Sequence, residues 1–167
     1  MLFSCESDIE VINAITSKYD FPGLSGEKVE ILYSDSGIIK IKATAPELKR
    51  FLDIDDPFTE FPKGLYVIFY NSKKEIESEI KANYATFYEN KNLWEAQNNV
   101  IATNAAGEVL NTEQLFWDQN KGIIFTEKFV KITTENQILM GDGFESDQQF
   151  RKWKIKKLKG TFYFKDE

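Results

Sequence analysis

The chain has 167 residues, one cysteine, no histidine and a formal net charge of -6, and it is long enough for a single domain with a substantial core. The lack of histidine excludes histidine-ligated metal sites, Ser-His-Asp triads and Cys-His dyads, and we predict neither a metal nor another cofactor. The negative charge argues against nucleic acid and anionic membrane surfaces as partners, and no apolar run approaches the roughly 20 residues of a membrane-spanning helix.

Residues 1–24 are predicted to be an N-terminal tether, and residues 25–167 the folded domain. Leu2-Phe3-Ser4-Cys5 has the shape of a bacterial lipobox, which makes Cys5 a candidate for acylation. We expect any signal peptide to be absent from the chain, because neither a basic nor a long apolar segment precedes this motif. The alternative is an incidental thiol in a polar tail. A short helix capped by Asp8 is possible farther along the tether.

The first strands form a predicted hairpin. Val29–Tyr33 and Ile38–Ala45 flank Ser34-Asp35-Ser36-Gly37, a turn sequence that suits positive φ. Pro46 is expected to interrupt the second strand, since proline belongs at the edge or end of a strand. Residues 48–51 are then either an irregular turn or a strand. The next predicted strands are Phe58–Phe61, Leu65–Tyr70, Ile76–Ala82 and Tyr84–Tyr88.

A series of short strands separated by Asn, Gly and Asp turns continues to Asp147. It comprises Leu93–Gln97, Val100–Thr103, Val109–Thr112, Gln114–Asp118, Gly122–Phe125, Val130–Thr133, Gln137–Met140 and Phe144–Asp147. Because no helical interval separates these strands, the pattern predicts an antiparallel all-β meander. Asp142-Gly143 is interpreted as a hairpin turn. A meander without a catalytic constellation points to a binding face, so we predict that the chain is not an enzyme.

The last predicted strand, Arg151–Lys159, alternates apolar residues with lysines. Trp153, Ile155 and Leu158 are candidates for a partner-docking edge. Two interpretations of the lysines remain open. They can protect an edge strand from unwanted pairing, or they can belong to a docking edge or to a contact with acidic headgroups. A further strand is predicted at residues 161–164.

The strands alternate apolar and polar side chains, which places large apolar groups on one face. If the sheet curls without closing, this face becomes an apolar trough, and otherwise it is a dry sandwich core. The 14 Phe, 7 Tyr and 3 Trp residues are compatible with both. The predicted trough-lining residues are Phe58, Phe61, Phe69, Leu115, Trp117, Val130 and Ile132.

An ordered set of motifs between residues 60 and 160 resembles the LptC family, the periplasmic bridge component of lipopolysaccharide export, and its Bacteroidetes-type members in particular. The motifs are Glu60-Phe61-Pro62-Lys63-Gly64, Phe69-Tyr70, Ala82-x-Tyr84-Ala85-x-x-Tyr88, Leu93-Trp94-Glu95-Ala96, Asn104-x-x-Gly107-Glu108-x-Leu110, Leu115-x-Trp117-Asp118, Ile124-x-Thr126-x-Lys128-x-Val130-x-Ile132 and Gly141-x-Gly143-Phe144-Glu145-Ser146-Asp147.

This resemblance implies a single-domain, twisted, open β-jelly-roll of antiparallel strands. It also implies that the trough accepts lipopolysaccharide from an inner-membrane ABC transporter and passes it across the C-terminal edge to an LptA-like periplasmic protein. The implied location is the periplasm, with anchoring to the inner membrane through Cys5 or through a signal anchor missing from this chain. Many members of the family carry an N-terminal transmembrane helix, from which this sequence departs.

Two other functions remain as alternatives. One is a structural or adhesion-type β-sandwich lipoprotein that binds protein or glycan. The other is a hydrolase with paired carboxylates, which the absence of an acid-rich cleft in the pattern disfavours.

Overall fold

The computed structural model describes residues 22–52 and 55–160 of the chain. Cys5, the possible helix of the tether and the strand expected at residues 161–164 lie outside the described residues. The strands are β1 (Leu24–Asp35), β2 (Ile38–Phe51), β3 (Phe58–Phe61), β4 (Leu65–Tyr70), β5 (Ile76–Ala82), β6 (Tyr84–Tyr88), β7 (Leu93–Asn104), β8 (Val109–Asp118), β9 (Ile123–Thr133), β10 (Ile138–Asp147) and β11 (Trp153–Lys159).

The described strands form one antiparallel sheet of jelly-roll-like form, which confirms the predicted fold class. Strand β3 runs into β4 through residues 62–64, and β5 runs into β6 through Asn83, so each pair behaves as one long ribbon broken in its middle. β2 pairs with both β3 and β4. In turn, β3 pairs with β6 and β4 pairs with β5, and β7 pairs with both β5 and β6. Strands β7 to β11 continue in chain order.

The long strands bend at β-bulges that lie side by side across the sheet. The register shifts between Gln97 and Val100 on β7, between Thr112 and Phe116 on β8, and between Asp142 and Phe144 on β10. A bulge adds one residue to one strand of a pair and bends it. We call this line of bulges, together with residues 62–64 and Asn83, the crease.

The crease corrects several predicted strand boundaries. Asn98 and Asn99 have φ of 62° and 53°, and Gly143 has φ of 75°, but each lies within a continuous strand. Asn and Gly tolerate positive φ both in bulges and in tight turns. Their presence in the sequence therefore suggested turns at positions that are bulges in the structure. The Asp142-Gly143 hairpin was therefore a wrong prediction, whereas the hairpin around Ser36 and Gly37, both with positive φ, is confirmed.

Strand β2 also continues through Pro46, contrary to the prediction that it stops there. Its first part, up to Thr44, pairs with β4, and its last part, from Lys49, pairs with β3. Pro46 falls between the two parts. Proline has no N–H to donate, but no hydrogen bond to β3 or β4 is needed at the point where β2 changes from one neighbour to the other. Residues 48–51 are therefore strand.

The crease folds the sheet into two wings that face each other. The first wing contains β4, β5 and the parts of β2 and β7 to β11 that lie on their side of the crease. The second wing contains β3, β6 and the parts of the same long strands on the other side. Phe69 on the first wing and Trp117 on the second make an edge-to-face contact with ring centroids 5.3 Å apart. The indole Nε1–H of Trp153 on the second wing donates to Glu108 on the first at 2.9 Å. The apolar faces of both wings thus form a shared interior.

Two strands end the sheet within the described part of the chain. β1 pairs only with β2, and β11 pairs only with β10. The sole helical element in these residues is a 3-10 turn, Glu89–Lys91, between β6 and β7. Accordingly, residues 22–52 and 55–160 contain no helix with the length and hydropathy needed to cross a membrane.

Candidate functional site

An apolar trough of about 240 Å³ lies between the wings beside β1 to β8. Period-two alternation turns every second side chain of each strand inward. The first wing contributes Ile41, Ala43, Val67, Phe69 and Ile80 to the trough wall. The second wing contributes Phe87, Trp94, Ala96, Leu115 and Trp117.

Aromatic side chains form the wall of the trough on the second wing. The Trp94 ring stacks on Phe87 and Phe61 with centroid distances of 4.6 and 5.7 Å, and it lies 6.4 Å from Trp117. The buried indole Nε1 of Trp94 has no hydrogen-bond partner among the described residues. The aromatic rings present a broad apolar surface to the cavity, and such a surface suits hydrocarbon more than a hydrogen-bonding ligand.

The trough wall includes one acidic residue, Glu95, but alternation along β7 turns its side chain to the face opposite those of Trp94 and Ala96. Glu95 follows Trp94 on β7 and accepts hydrogen bonds from Tyr88, Gln97 and Gln114 at 2.9, 2.5 and 2.6 Å. Burial, followed by the bond to Glu95, raises the pKa of Tyr88 to about 12. Three neutral donors thus satisfy Glu95 on the outer face, and the inner face of β7 at this level stays apolar.

The interior is filled beside β9 to β11. Leu110, Ile124, Val130, Ile132 and Phe144 pack there as a cluster of buried side chains. Phe150, from the turn between β10 and β11, also inserts into this cluster and is 4% exposed. Its carbonyl accepts a hydrogen bond from the Asn104 side chain at 3.1 Å, so the turn of the second wing is tied to the first. The interior therefore contains an apolar cavity beside β1 to β8, whose wall includes a second cluster of buried side chains, and it is packed beside β9 to β11.

The structure distributes the predicted trough-lining residues over three environments. Phe69, Leu115 and Trp117 line the trough, and Leu115 also belongs to the buried cluster beside β9 to β11. Phe61 is fully buried beside Trp94. Val130 and Ile132 belong to the packed half.

Phe58 differs from the other predicted lining residues. It stacks on Phe51 with ring centroids 4.7 Å apart. It lies three residues before Phe61 on β3, so alternation places it on the opposite face of the strand. A period-two count within β3 could have separated these two residues.

The predicted docking residues lie on the terminal strand β11. Trp153 and Ile155 are half-buried and face the interior, while Leu158 is exposed. Several lysines of the strand form ion pairs along the sheet: Lys154 with Glu145 at 2.9 Å, Lys156 with Glu127, and Lys159 with Asp142.

Sequence reasoning did not select Phe87, Trp94 or Phe150. The alternation of Trp94 and Ala96 with Glu95 and Gln97 could have identified Trp94. Phe150 lies in a turn, where no periodicity indicates burial. Within the described ranges, no group of three or more Asp, Glu, His or Cys side chains could hold a metal ion.

Comparison with protein families gives a match over residues 13–162 to the family model described as "LptC: Lipopolysaccharide-assembly, LptC-related". The match covers well over half of the chain. Comparison with curated proteins gives no match.

Proposed function

The chain belongs to the LptC family, and from this premise we propose that it binds lipopolysaccharide in the trough and relays it from an inner-membrane ABC transporter to the next periplasmic bridge protein, an LptA-like partner. The family is a transport component and not an enzyme family, and its members act in the periplasm at the inner membrane. How this chain is anchored, through Cys5 or a signal anchor, stays a prediction.

The single observation that carries the proposal is the apolar trough between the wings. Apolar surface leaves water at a gain of roughly 0.8 kcal/mol per buried CH₂ group, so acyl chains are suitable occupants. A structural or adhesion-type β-sandwich would instead pack its core along its whole length. The apolar cavity between the wings therefore favours transport over that alternative.

Site-specific photo-crosslinking tests lipid binding in the trough. We expect a photoreactive amino acid at Phe69 or Leu115 to crosslink lipopolysaccharide in cells that make it, since both side chains line the trough. Lys131 is the matched control, because it lies on the outer face of β9 between the inward-facing Val130 and Ile132. Equal crosslinking at Lys131 and at the trough positions would contradict a lipid site between the wings.

We propose β11 as the docking edge for the LptA-like partner. Its far side has no strand partner among the described residues, and an exposed edge can add a strand from another chain through main-chain hydrogen bonds. The paired lysines would still oppose unspecific strand addition.

Proline at Ile155 or at Lys156 tests this edge. Neighbouring N–H groups of a strand point to opposite sides, so one substitution removes a donor to β10 and the other removes a donor on the open side. The variant that loses only the donor on the open side should melt at the wild-type temperature. We expect this variant to bind the LptA-like partner at least tenfold more weakly in a pull-down titration and to retain lipid binding. Wild-type partner binding by that variant would exclude β11 as the docking edge.

A further inference from the structure

Beside the apolar trough lies a more polar pocket of about 560 Å³, where the tips of the two wings approach each other. The trough and the pocket share Tyr33, Ile41, Phe69, Trp117 and Gln119 in their walls, so the two spaces adjoin. We call the polar part the mouth. A space that is apolar inside and polar at its opening fits an amphiphile with chains inside and a polar headgroup at the mouth.

Lys40 is the cation in the mouth that lacks a counter-charge. It is half-buried, and its Nζ donates to Ser72 Oγ at 3.3 Å, but no carboxylate of the described residues lies within ion-pair distance. Arg151, the other cation of the mouth, lies 3.4 Å from Asp147 and 3.9 Å from Glu77. The protein as a whole has a net charge of -6, and most of its surface therefore repels anions. An unpaired cation beside the apolar trough is a favourable place for an anion.

Other groups of the mouth can contribute hydrogen bonds. The side-chain oxygen of Gln148 accepts the indole N–H of Trp117 at 3.2 Å, and this bond leaves the Gln148 amide N–H groups to donate. Gln119 and Gln149 also line the mouth. Amide donors that line the same pocket as an ammonium group suit a phosphate or carboxylate oxygen, because hydrogen bonds to ionised acceptors are stronger than neutral ones.

We propose that Lys40 binds an anionic headgroup, a phosphate or a carboxylate, of the lipid whose chains occupy the trough. This inference rests on the proposed function and refines it, since it assigns the charged end of the lipid to a particular side chain. The bound lipid would then have a fixed orientation, with its headgroup at the tips of the wings and its chains directed toward the crease.

Titration of the purified full chain with two lipids tests the inference. The lipids are the phosphorylated lipid anchor of lipopolysaccharide and the same anchor without its phosphates, and inorganic phosphate serves as a third ligand. We expect Lys40→Gln to weaken binding of the phosphorylated lipid about two- to fivefold, the range of a partly exposed charge pair. Binding of the dephosphorylated lipid should not change, and Lys40→Arg should restore the wild-type affinity.

Lys42→Gln is the matched control, because Lys42 lies two residues farther along β2 and is paired with Glu30 at 2.7 Å. Its affinity for both lipids should equal that of wild type. Binding of both lipids by wild type without an effect of Lys40→Gln overturns the headgroup assignment alone, as does an equal loss for both lipids. Inorganic phosphate bound as tightly as the phosphorylated lipid would indicate a free-anion site instead. Failure of wild type to bind either lipid overturns the proposed function and this inference together.

Discussion

Ala43→Phe is expected to reduce lipid binding at least tenfold while the fold is retained. Ala43 faces the trough from β2, opposite the aromatic wall of the second wing. A phenyl ring there would occupy space that acyl chains need, and the loss of two or three buried CH₂ groups costs about 1.6 to 2.4 kcal/mol. Each 1.4 kcal/mol corresponds to about a tenfold change in affinity. Co-purified lipid, measured by native mass spectrometry and by titration, provides the readout.

Thr44→Phe is the matched control for this substitution. Thr44 is the next residue of β2 and points to the outer face, where it pairs with Glu30 on β1 and Tyr66 on β4. The same ring at this position should leave lipid binding within about twofold. Thermal melts of both variants measure the cost of overpacking, which is typically 1 to 3 kcal/mol. A folded Ala43→Phe variant with wild-type lipid binding would show that the lipid occupies another site.

Phe150→Ala is expected to lower the free energy of unfolding by about 3 to 5 kcal/mol, the usual cost of removing a buried phenyl ring. Phe150 is 4% exposed and lies 6.1 Å from the ring of Phe144. Its φ of 54° is strained for phenylalanine and for alanine alike, so the difference reports the lost packing. Denaturant unfolding monitored by tryptophan fluorescence provides the measurement.

Phe129→Ala is the control for Phe150→Ala. Phe129 lies on the outer face of β9 and is 51% exposed, so its truncation should change the stability by no more than about 0.5 kcal/mol. Similar losses for both variants would contradict the packed C-terminal half of the interior.

This packing has a consequence for transport: a lipid that leaves across β11 requires Phe150 to move or the wings to separate, because the space beside β9 to β11 is already occupied.

The all-β class and most hairpins could be predicted from the sequence because both signals are local. Ser36-Gly37 encodes its own turn geometry, and the alternation of Leu115 and Trp117 with Gln114 and Phe116 identifies the inner face of β8. The same local signals could not separate a bulge from a turn, because Asn98 and Gly143 adopt positive φ in either. Only the ladders on both sides of a strand reveal the crease.

The division of the interior could not be predicted, since it depends on contacts between residues that are distant in the chain. Val67 and Val130 show the same alternation, but Val67 lines the trough and Val130 lies in the buried cluster beside β9 to β11. Phe150 adds its ring to the cluster that contains Val130, and its carbonyl accepts a hydrogen bond from the distant Asn104. No pattern within residues 147–152 indicates that this turn folds inward.

The strictly sequential pairing of the ribbons has a consequence for how the chain folds. If β3–β4 and β5–β6 are each counted as one ribbon, and every other strand as a ribbon of its own, each ribbon pairs only with the ribbons next to it in sequence. The loops to be closed are therefore short, and their entropic cost is low compared with that of a Greek-key sandwich. Folding can begin at any hairpin and extend in both directions, much as in a repeat protein whose units contact only their neighbours. A chain emerging from a translocation channel could thus add ribbons one by one to a sheet that is already formed.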